Sequence, residues 1–326
     1  MPVQEDFIDR AAPYRSELIA HCYRLLGSAH EAEDLVQETY LRGWRAYESF
    51  EERAALRTWL YRIATRACLR ALENRARRVM PAGLGEGSTD PETPLDDGAN
   101  GHSWMEPLPD RPTPDEVVAT RDTVRLAVAT ALQELPARQR AVLILRDVAQ
   151  FSAAEVAELL CTTPAAVNSA MQRARAHLAE VAPSEDTVAM PTDRQRLELI
   201  ERYCAAFEHA NLEALTAVLR HDIALEMPPF TAWFRGREAV TRFLATRAFG
   251  ERGAVLMVAI RANGQAAAAD YRLGSDGLHH AHALHVLTER WDERSDGVMD
   301  GSGAIAALTV FLDPELFAAF GLPATR

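Results

Sequence analysis

The chain has 326 residues, of which 48% are hydrophobic and 25% charged, and its formal net charge is −12. That length exceeds one ordinary domain and favours two or three. The composition is that of a soluble globular protein, and no apolar run is long enough to span a bilayer, so no membrane partner is expected. The first residues are polar and acidic, unlike a secretory signal, which favours a cytoplasmic protein.

The first segment, from about residue 7 to residue 78, has the periodicity of helices. Apolar residues recur at helical spacing, as in Leu18, Cys22 and Leu25. Gly27 and Ser28 predict a break between two of these helices. Later in the segment Trp59, Tyr61 and several arginines share one predicted helix. Aromatic rings among guanidinium groups suit a melted DNA strand, although a core position for Trp59 is an equally good interpretation.

Charge is distributed unevenly along the chain. Eight arginines and one acid lie between Arg53 and Arg78, whereas nine acids and one base lie between Pro81 and Glu116. A basic segment followed by an acidic one fits a DNA-binding element beside a solvated linker.

The acidic stretch has few apolar residues and seven prolines between Pro81 and Pro114. Too little apolar surface is available to offset the entropy of ordering, so residues 81–114 are predicted to be a flexible acidic linker. One run within it, Trp104 to Pro109, is more apolar than a spacer needs and is a candidate docking segment.

The clearest motif is a helix-turn-helix in residues 151–168. Ser152 and Glu155 predict a capping box at the start of its first helix. After a short turn, Thr163 is expected to cap the second helix, with Pro164 at the first helical position.

The second helix of the motif is predicted to be amphipathic. Its apolar side carries Val167, Met171, Ala174 and Leu178, and its polar side carries Ala165, Asn168, Ser169, Gln172 and Arg175, with Arg173 on the flank. Amide, hydroxyl and guanidinium groups read base edges and bind phosphates in a major groove. The motif therefore favours DNA binding over the alternative of a generic helical hairpin.

A second linker is predicted at residues 183–192, and residues 193–326 change class. Two helices, at about residues 193–210 and 212–220, precede predicted strands. Asn263-Gly264 and Asp276-Gly277 are typical hairpin turns. This pattern predicts an α+β domain after two all-α domains.

The last segment contains several histidines, and aspartates such as Asp270, that could support chemistry. Alternation along a strand places His280 and His282 on one face and His279 and His285 on the other, which weakens a metal or acid–base pairing with Asp270. The cysteines stand singly, without zinc-like spacing. We therefore predict no catalytic residue, no metal and no cofactor, and we leave open a small-molecule ligand in a pocket of this domain.

Four blocks in the helical segments resemble the extracytoplasmic-function (ECF) sigma factors of bacterial RNA polymerase. Residues 32–44 are similar to the polymerase-binding helix of that family, and residues 59–65 to its promoter-melting helix. Residues 132–142 resemble the entry to its second domain and lead into the helix-turn-helix. The resemblance implies sigma region 2 in residues 1–80 and sigma region 4 in residues 115–182.

The resemblance also implies partners and contacts. The chain is expected to bind core RNA polymerase, at the clamp helices of the largest subunit and at the flap, and promoter DNA. Residues facing the clamp helices would be Asp34, Gln37 and Glu38. Residues contacting and melting the minus-ten element would be Arg53, Arg57, Thr58, Trp59, Arg62 and Arg66. Residues reading the minus-thirty-five element would be Thr163, Ala165, Asn168, Ser169, Gln172, Arg173 and Arg175.

The last segment resembles the NTF2-like (SnoaL-like) domain of one sigma subgroup, in residues 222–229, 236–240 and 311–323. This resemblance implies an α+β cone that modulates a non-enzymatic transcription initiation factor. Two alternatives remain at this point. One is an autonomous, ligand-sensing helix-turn-helix regulator, which has no need of residues 32–44, and the other is an enzyme fused to a DNA-binding segment.

Overall fold

The structure is a computed structural model that describes residues 2–50, 55–73, 75–96, 98, 101–110, 125–181, 193–291 and 303–326. It divides into two compact units. The helical unit contains residues 1–78 and 111–183, and the C-terminal unit contains residues 79–110 and 184–326.

The first half of the helical unit is a bundle whose core includes Leu18, Cys22 and Leu60. Its helices are α1 (Pro2–Ala11), α2 (Arg15–Leu26), α3 (Ala29–Ala46) and α4 (Leu56–Leu72). Gly27 ends α2 in the left-handed conformation, with φ of 73°, and the Ser28 hydroxyl accepts a hydrogen bond from the Glu31 amide at the start of α3. The predicted break between helices is confirmed.

Four further helices lie in the described residues of the second half of the helical unit. They are α5 (Leu126–Gln133), α6 (Ala137–Leu143), α7 (Ala153–Leu159) and α8 (Pro164–Val181). A π-helical turn, Ile144–Val148, continues α6 and buries Ile144 and Leu145.

The C-terminal unit is a six-stranded mixed sheet with helices, in the strand order β2-β1-β6-β5-β4-β3. Strand β1 runs parallel to β6, and the other neighbouring pairs are antiparallel. The strands are β1 (Leu219–Glu226), β2 (Trp233–Arg235), β3 (Val255–Ala262), β4 (Gln265–Leu273), β5 (His279–Arg290) and β6 (Ala304–Phe311). The helices are α9 (Asp193–Glu208), α10 (Leu212–Val218), α11 (Arg237–Arg247) and α12 (Leu316–Ala319).

The sheet and its helices confirm the predicted α+β class. Asn263 and Gly264 both have positive φ, of 56° and 69°, and form the tight β3–β4 turn. Tyr203 and Phe207 of α9 are buried in the main core together with strand residues such as Leu225 and Leu308.

Residues 79–110 differ from the predicted flexible linker, because the described part of this stretch is docked on the C-terminal unit. Ser88 pairs with the edge strand β2: its amide donates to the Trp233 carbonyl and its carbonyl accepts from the Arg235 amide, both at 2.9 Å. At the other end, Asp110 accepts from the Gly264 amide at 2.8 Å and pairs with Arg261. Asp110 thus takes part in a hydrogen bond and an ion pair, which the acidic composition of the stretch does not predict.

The candidate docking segment does contact the C-terminal unit. Met105 and Leu108 are buried, at 1% and 8% exposure. The Leu108 amide donates to the Asn263 side chain at 2.9 Å, and the Asn263 amide donates to the Leu108 carbonyl at 2.8 Å. Within the described part of the chain, no helix has the length and apolar character needed to cross a membrane.

Candidate nucleic-acid interface

The helix-turn-helix begins its two helices where the sequence predicted. The Ser152 hydroxyl accepts from the Glu155 amide at 3.2 Å, and the Glu155 carboxylate accepts from the Ser152 amide at 2.7 Å. These hydrogen bonds to Ser152 lower the pKa of Glu155. The Thr163 hydroxyl accepts from the Ala166 amide at 3.2 Å and caps α8. The two caps therefore fix where α7 and α8 begin.

Helix α8 turns its predicted polar face outward. Val167, Met171 and Ala174 are buried, whereas every residue predicted to read DNA is exposed: Thr163, Ala165, Asn168, Ser169, Gln172, Arg173 and Arg175. Arg175 pairs with Asp147 at 2.8 Å. A solvent-facing row of hydroxyl, amide and guanidinium groups on one helix fits a major groove.

Arg57 at the start of α4 is not free to contact DNA in this structure. It forms an ion pair with Glu17 of α2, with Nε at 2.9 Å from a carboxylate oxygen. Both terminal nitrogens donate to the Ala149 carbonyl at 3.2 Å. Its guanidinium carbon lies 4.9 Å from the Tyr61 ring centre and 5.0 Å from that of Phe151. One side chain therefore ties the predicted melting helix to the segment that leads into the helix-turn-helix.

Further contacts join the same two halves of the helical unit. Arg66 Nε donates to the Leu159 carbonyl at 3.3 Å, and its Nη2 lies 3.0 Å from the Cys161 sulfur in the turn of the motif. Arg140 is buried, donates to the Leu25 carbonyl and is bound to Gln133. Arg57 and Arg66, both predicted to contact the minus-ten element, are thus bound to the second half of the unit in this structure.

The remaining predicted melting residues divide by burial. Trp59 is 9% exposed and lies against the Phe50 ring, with centres 4.9 Å apart, which favours the core interpretation of this ring. Thr58 and Arg62 are half-exposed on α4. Arg53 lies outside the described residues.

Helix α3 presents a mixed polar and apolar stripe to solvent. Asp34 and Gln37 are exposed, and Glu38 is half-exposed in an ion pair with Arg42. The same stripe carries Leu41 and Trp44, which are 56% and 39% exposed. The spacing of these residues is helical, so they lie on one side of α3. Sequence reasoning did not single out the two apolar residues, because their exposure depends on how the bundle packs.

The C-terminal unit contains a buried polar group, centred on Asp270 and His285, that the sequence did not predict. Asp270 accepts from Arg272 at 2.7 Å, and Asp270 Oδ2 lies 3.6 Å from His285 Nε2; the His285 Nδ1 is 2.7 Å from the Tyr203 hydroxyl. Burial acts to raise the pKa of Asp270, but the hydrogen bond and charge of His285, together with Arg272, lower it. A register shift in β5, with Tyr271 opposite Ala281 and Asp270 opposite Ala283, breaks the simple alternation used to sort the histidines.

No set of three metal-binding side chains lies close together among the described residues. The buried group is internally paired through Arg272, His285 and Tyr203. Its immediate consequence is structural: it links α9 to the centre of the sheet.

Comparison with known proteins follows the same division. Residues 11–78 match the Sigma-70 region 2 family and residues 125–178 match the Sigma-70, region 4 family. ECF RNA polymerase sigma factor SigG of Mycobacterium tuberculosis is 44% identical over 324 residues, covering 98% of this chain and 84% of SigG. SigJ of the same organism is 29% identical over 236 residues, covering 71% of this chain and 69% of SigJ.

The fold also has a solved counterpart. The crystal structure of M. tuberculosis SigJ aligns with a TM-score of 0.58 at 23% identity, covering 96% of this chain and 99% of that one. The similarity thus extends through the C-terminal unit as well as the two sigma regions. On the extent of the SigG match and the two region matches, this chain belongs to the ECF RNA polymerase sigma factor family.

Proposed function

We propose that this protein binds core RNA polymerase in the cytoplasm and directs promoter-specific transcription initiation. The observation that supports it most strongly is the pairing, in one chain, of two different outward surfaces. Helix α3 offers acidic and apolar groups, which suit a protein partner. Helix α8 offers hydroxyl, amide and guanidinium groups, which suit DNA. An autonomous repressor needs only the second.

Asp34, Gln37 and Glu38 are assigned to the polymerase contact, with Leu41 and Trp44 supplying the apolar part. Large apolar side chains at a protein interface contribute more binding energy than rim charges do. The acids on the same stripe would favour a basic partner surface and speed its association.

Promoter contacts are assigned to the exposed residues of α8 and to Arg62 on α4. Arg57 and Arg66 would join them only after the two halves of the helical unit separate, because both side chains are now engaged with the second half. The described structure would then be a closed state with low DNA affinity. Binding to polymerase would favour the open state if the polymerase contacts are made only there.

The C-terminal unit would modulate this activity through the linker. Residues 79–110 lie in the chain between the two DNA-binding halves. While they are docked on the C-terminal unit, their length does not add to the flexible connection between those halves. The effective concentration of one half at the site of the other depends on the length of that connection. Docking would therefore govern which promoter spacings the two halves can reach together.

Run-off transcription with purified bacterial core polymerase and a genomic promoter library tests the proposal. Specific transcripts should appear only with the protein present and should be lost on Arg62→Ala or Gln172→Ala. The matched control is Glu180→Ala, an exposed position in the last turn of α8. Binding of DNA by the protein alone, without directed initiation, would instead favour an autonomous regulator.

A further inference from the structure

A cleft of ≈ 490 Å³ opens on the C-terminal unit, beside the edge strand β2 and the start of α11. Arg235, Arg237 and Arg242 line it together with His221, and Glu238 is the one acid among its described lining residues. A volume of this size is within the range of small-molecule sites. The chemistry of the lining is cationic, unlike the apolar core of the same unit.

The arginines of this cleft form no ion pair within the described part of the chain. Arg235 and Arg242 are exposed and make no side-chain ion pair or hydrogen bond to a described residue. Arg237 donates only weakly, to the Leu219 carbonyl at 3.5 Å. Guanidinium groups bind phosphate oxygens through paired, charge-assisted hydrogen bonds, and several converging on one cavity favour an anion with many oxygens.

The start of α11 adds to this preference. Arg237, Glu238 and Ala239 open the helix and line the cleft, and the preceding Gly236 has no side chain with which to cap them. Amides at the start of a helix carry partial positive charge. The guanidinium groups and the helix start therefore act on an anion in the same direction.

The linker completes the cleft. Thr89 and Pro91 form part of its wall. They lie one and three residues after Ser88, whose backbone pairs with Trp233 and Arg235 of β2. Gly87 lies against the Trp233 ring, where an added Cβ would be 2.6 Å from ring atoms. The wall therefore depends on the linker being docked.

We propose that this cleft binds a small phosphate ester or polyphosphate anion, and that the bound anion fastens the linker to the C-terminal unit. An anion that contacts β2, α11 and the linker binds more tightly when the linker is docked. Its binding stabilises the docked linker by the free energy that corresponds to this difference in affinity. The consequence for promoter choice rests on the proposed function, but anion binding itself does not.

Calorimetry with inorganic pyrophosphate and the full chain tests the site without polymerase. We expect saturable binding that weakens as ionic strength rises. Replacing both cationic groups, Arg235→Gln with Arg242→Gln, should weaken binding by about tenfold or more, since charge-assisted hydrogen bonds are lost. Arg247→Gln, an exposed arginine on the same helix but outside the cleft, is the control and should bind as the wild type does.

Hydrogen exchange tests the coupling to the linker. Pyrophosphate should slow exchange in peptides that contain the Ser88 and Arg235 amides, both of which are hydrogen-bonded between linker and β2. Gly87→Ala should displace the wall and weaken pyrophosphate binding, whereas Gly85→Ala should not, because a Cβ there meets nothing within 4 Å.

Three outcomes would overturn the proposal. One is an absence of pyrophosphate binding, and another is binding that survives the double arginine substitution. The third is binding of duplex DNA that displaces pyrophosphate and depends on the same arginines, which would make the cleft a DNA contact. Specific run-off transcription is compatible with each of these outcomes, so the proposed function is tested independently of the anion site.

Discussion

Arg57 would make a different set of contacts in each of the two states that we propose for the helical unit. In this structure its charge is paired with Glu17, its donors are used by the Ala149 carbonyl, and its two faces lie near the Tyr61 and Phe151 rings. A group engaged in this way must exchange several contacts before it can hold a phosphate. The exchange makes DNA binding by this residue conditional on a rearrangement of the helical unit.

His21 gives the helical unit a predictable response to acid. Burial lowers the pKa of its imidazole to about 3, and the charges of Arg24 and Arg57 act in the same direction. The unfolded imidazole titrates near pH 6.5, so the unfolded state binds more protons at pH values between these two. Stability is therefore fully present above about pH 6.5 and decreases as pH falls towards 3, by on the order of 5 kcal/mol.

Hydrogen exchange of peptides covering α2 and α4, measured from pH 7.5 to pH 4.5 and corrected for intrinsic rates, would follow this loss. His21→Gln can keep a hydrogen bond to the Thr65 hydroxyl, which lies 2.8 Å from Nε2, and does not titrate. The variant should show a flatter pH dependence than the wild type. An equal slope in both proteins would show that His21 is not the group responsible.

Trp44 should contribute strongly to polymerase binding and little to folding. It is 39% exposed and lies on the same side of α3 as Gln37 and Leu41. Truncating an aromatic anchor at an interface typically costs about 2 kcal/mol or more, which is roughly thirtyfold in affinity. We expect Trp44→Ala to weaken binding to core polymerase by that factor while changing the thermal midpoint by only a few degrees.

Leu197→Ala is the matched control for that measurement, because Leu197 is 57% exposed but lies on α9 of the C-terminal unit. Affinity can be measured by fluorescence anisotropy of the labelled protein with purified core enzyme. Equal affinities for the two variants would rule out the assignment of the α3 stripe to polymerase.

Among the elements, α4 and the helix-turn-helix are each regular, and the closed state that we propose depends on the contact between them. The ring of Phe151 packs edge-on against Tyr61 at 5.1 Å and also lies beneath the Arg57 guanidinium. Phe151 stands just before α7, so removing its ring should loosen the contact without unfolding either helix.

We therefore expect Phe151→Ala to increase the distance between the two halves of the helical unit and to strengthen promoter binding in the absence of polymerase. Energy transfer between dyes at Glu48→Cys and Ala176→Cys, both exposed positions, would report the distance in a Cys161→Ser background. The control is Gln150→Ala, one residue earlier and exposed. Unchanged energy transfer together with unchanged DNA affinity would show that this contact does not restrain the protein.

The elements of the interface could be predicted from sequence because their signals are local. Thr163 and Pro164 mark the start of α8, and the spacing of Val167 and Met171 identifies its buried side. The partners of Arg57 could not be predicted in this way, because Ala149 lies 92 residues away in the chain. Local pattern predicts which face is polar but not what that face contacts.

The docked linker was missed for a related reason. Its acidic, proline-containing composition resembles that of a disordered tether, yet its attachment uses backbone hydrogen bonds to β2 and a few buried apolar residues, such as Met105. An edge strand has unpaired donors and acceptors that any extended segment can satisfy. Amino-acid composition does not predict backbone hydrogen bonds of this kind.

In the whole molecule, the linker is the element that we propose couples promoter recognition to the C-terminal unit. Its attachment has two ends, at Gly87 and Ser88 beside β2 and at Asp110 beside the β3–β4 turn. Breaking both should release a longer connection between the DNA-binding halves. A longer flexible connection lowers the effective concentration of one half at DNA sites close to the other half. It also allows the two halves to bind sites that are farther apart.

The double variant Gly87→Ala with Asp110→Ala should therefore change promoter choice more than total activity. In run-off assays on templates that differ only in the spacing between the minus-thirty-five and minus-ten elements, the wild type should prefer a narrow range. The variant should initiate from longer spacings, with up to several-fold less transcript at the preferred one. Gly85→Ala with Glu86→Ala, at exposed positions on the same stretch, is the control. If the spacing profiles of variant and control coincide, linker docking does not set promoter spacing, and the C-terminal unit must act by another route.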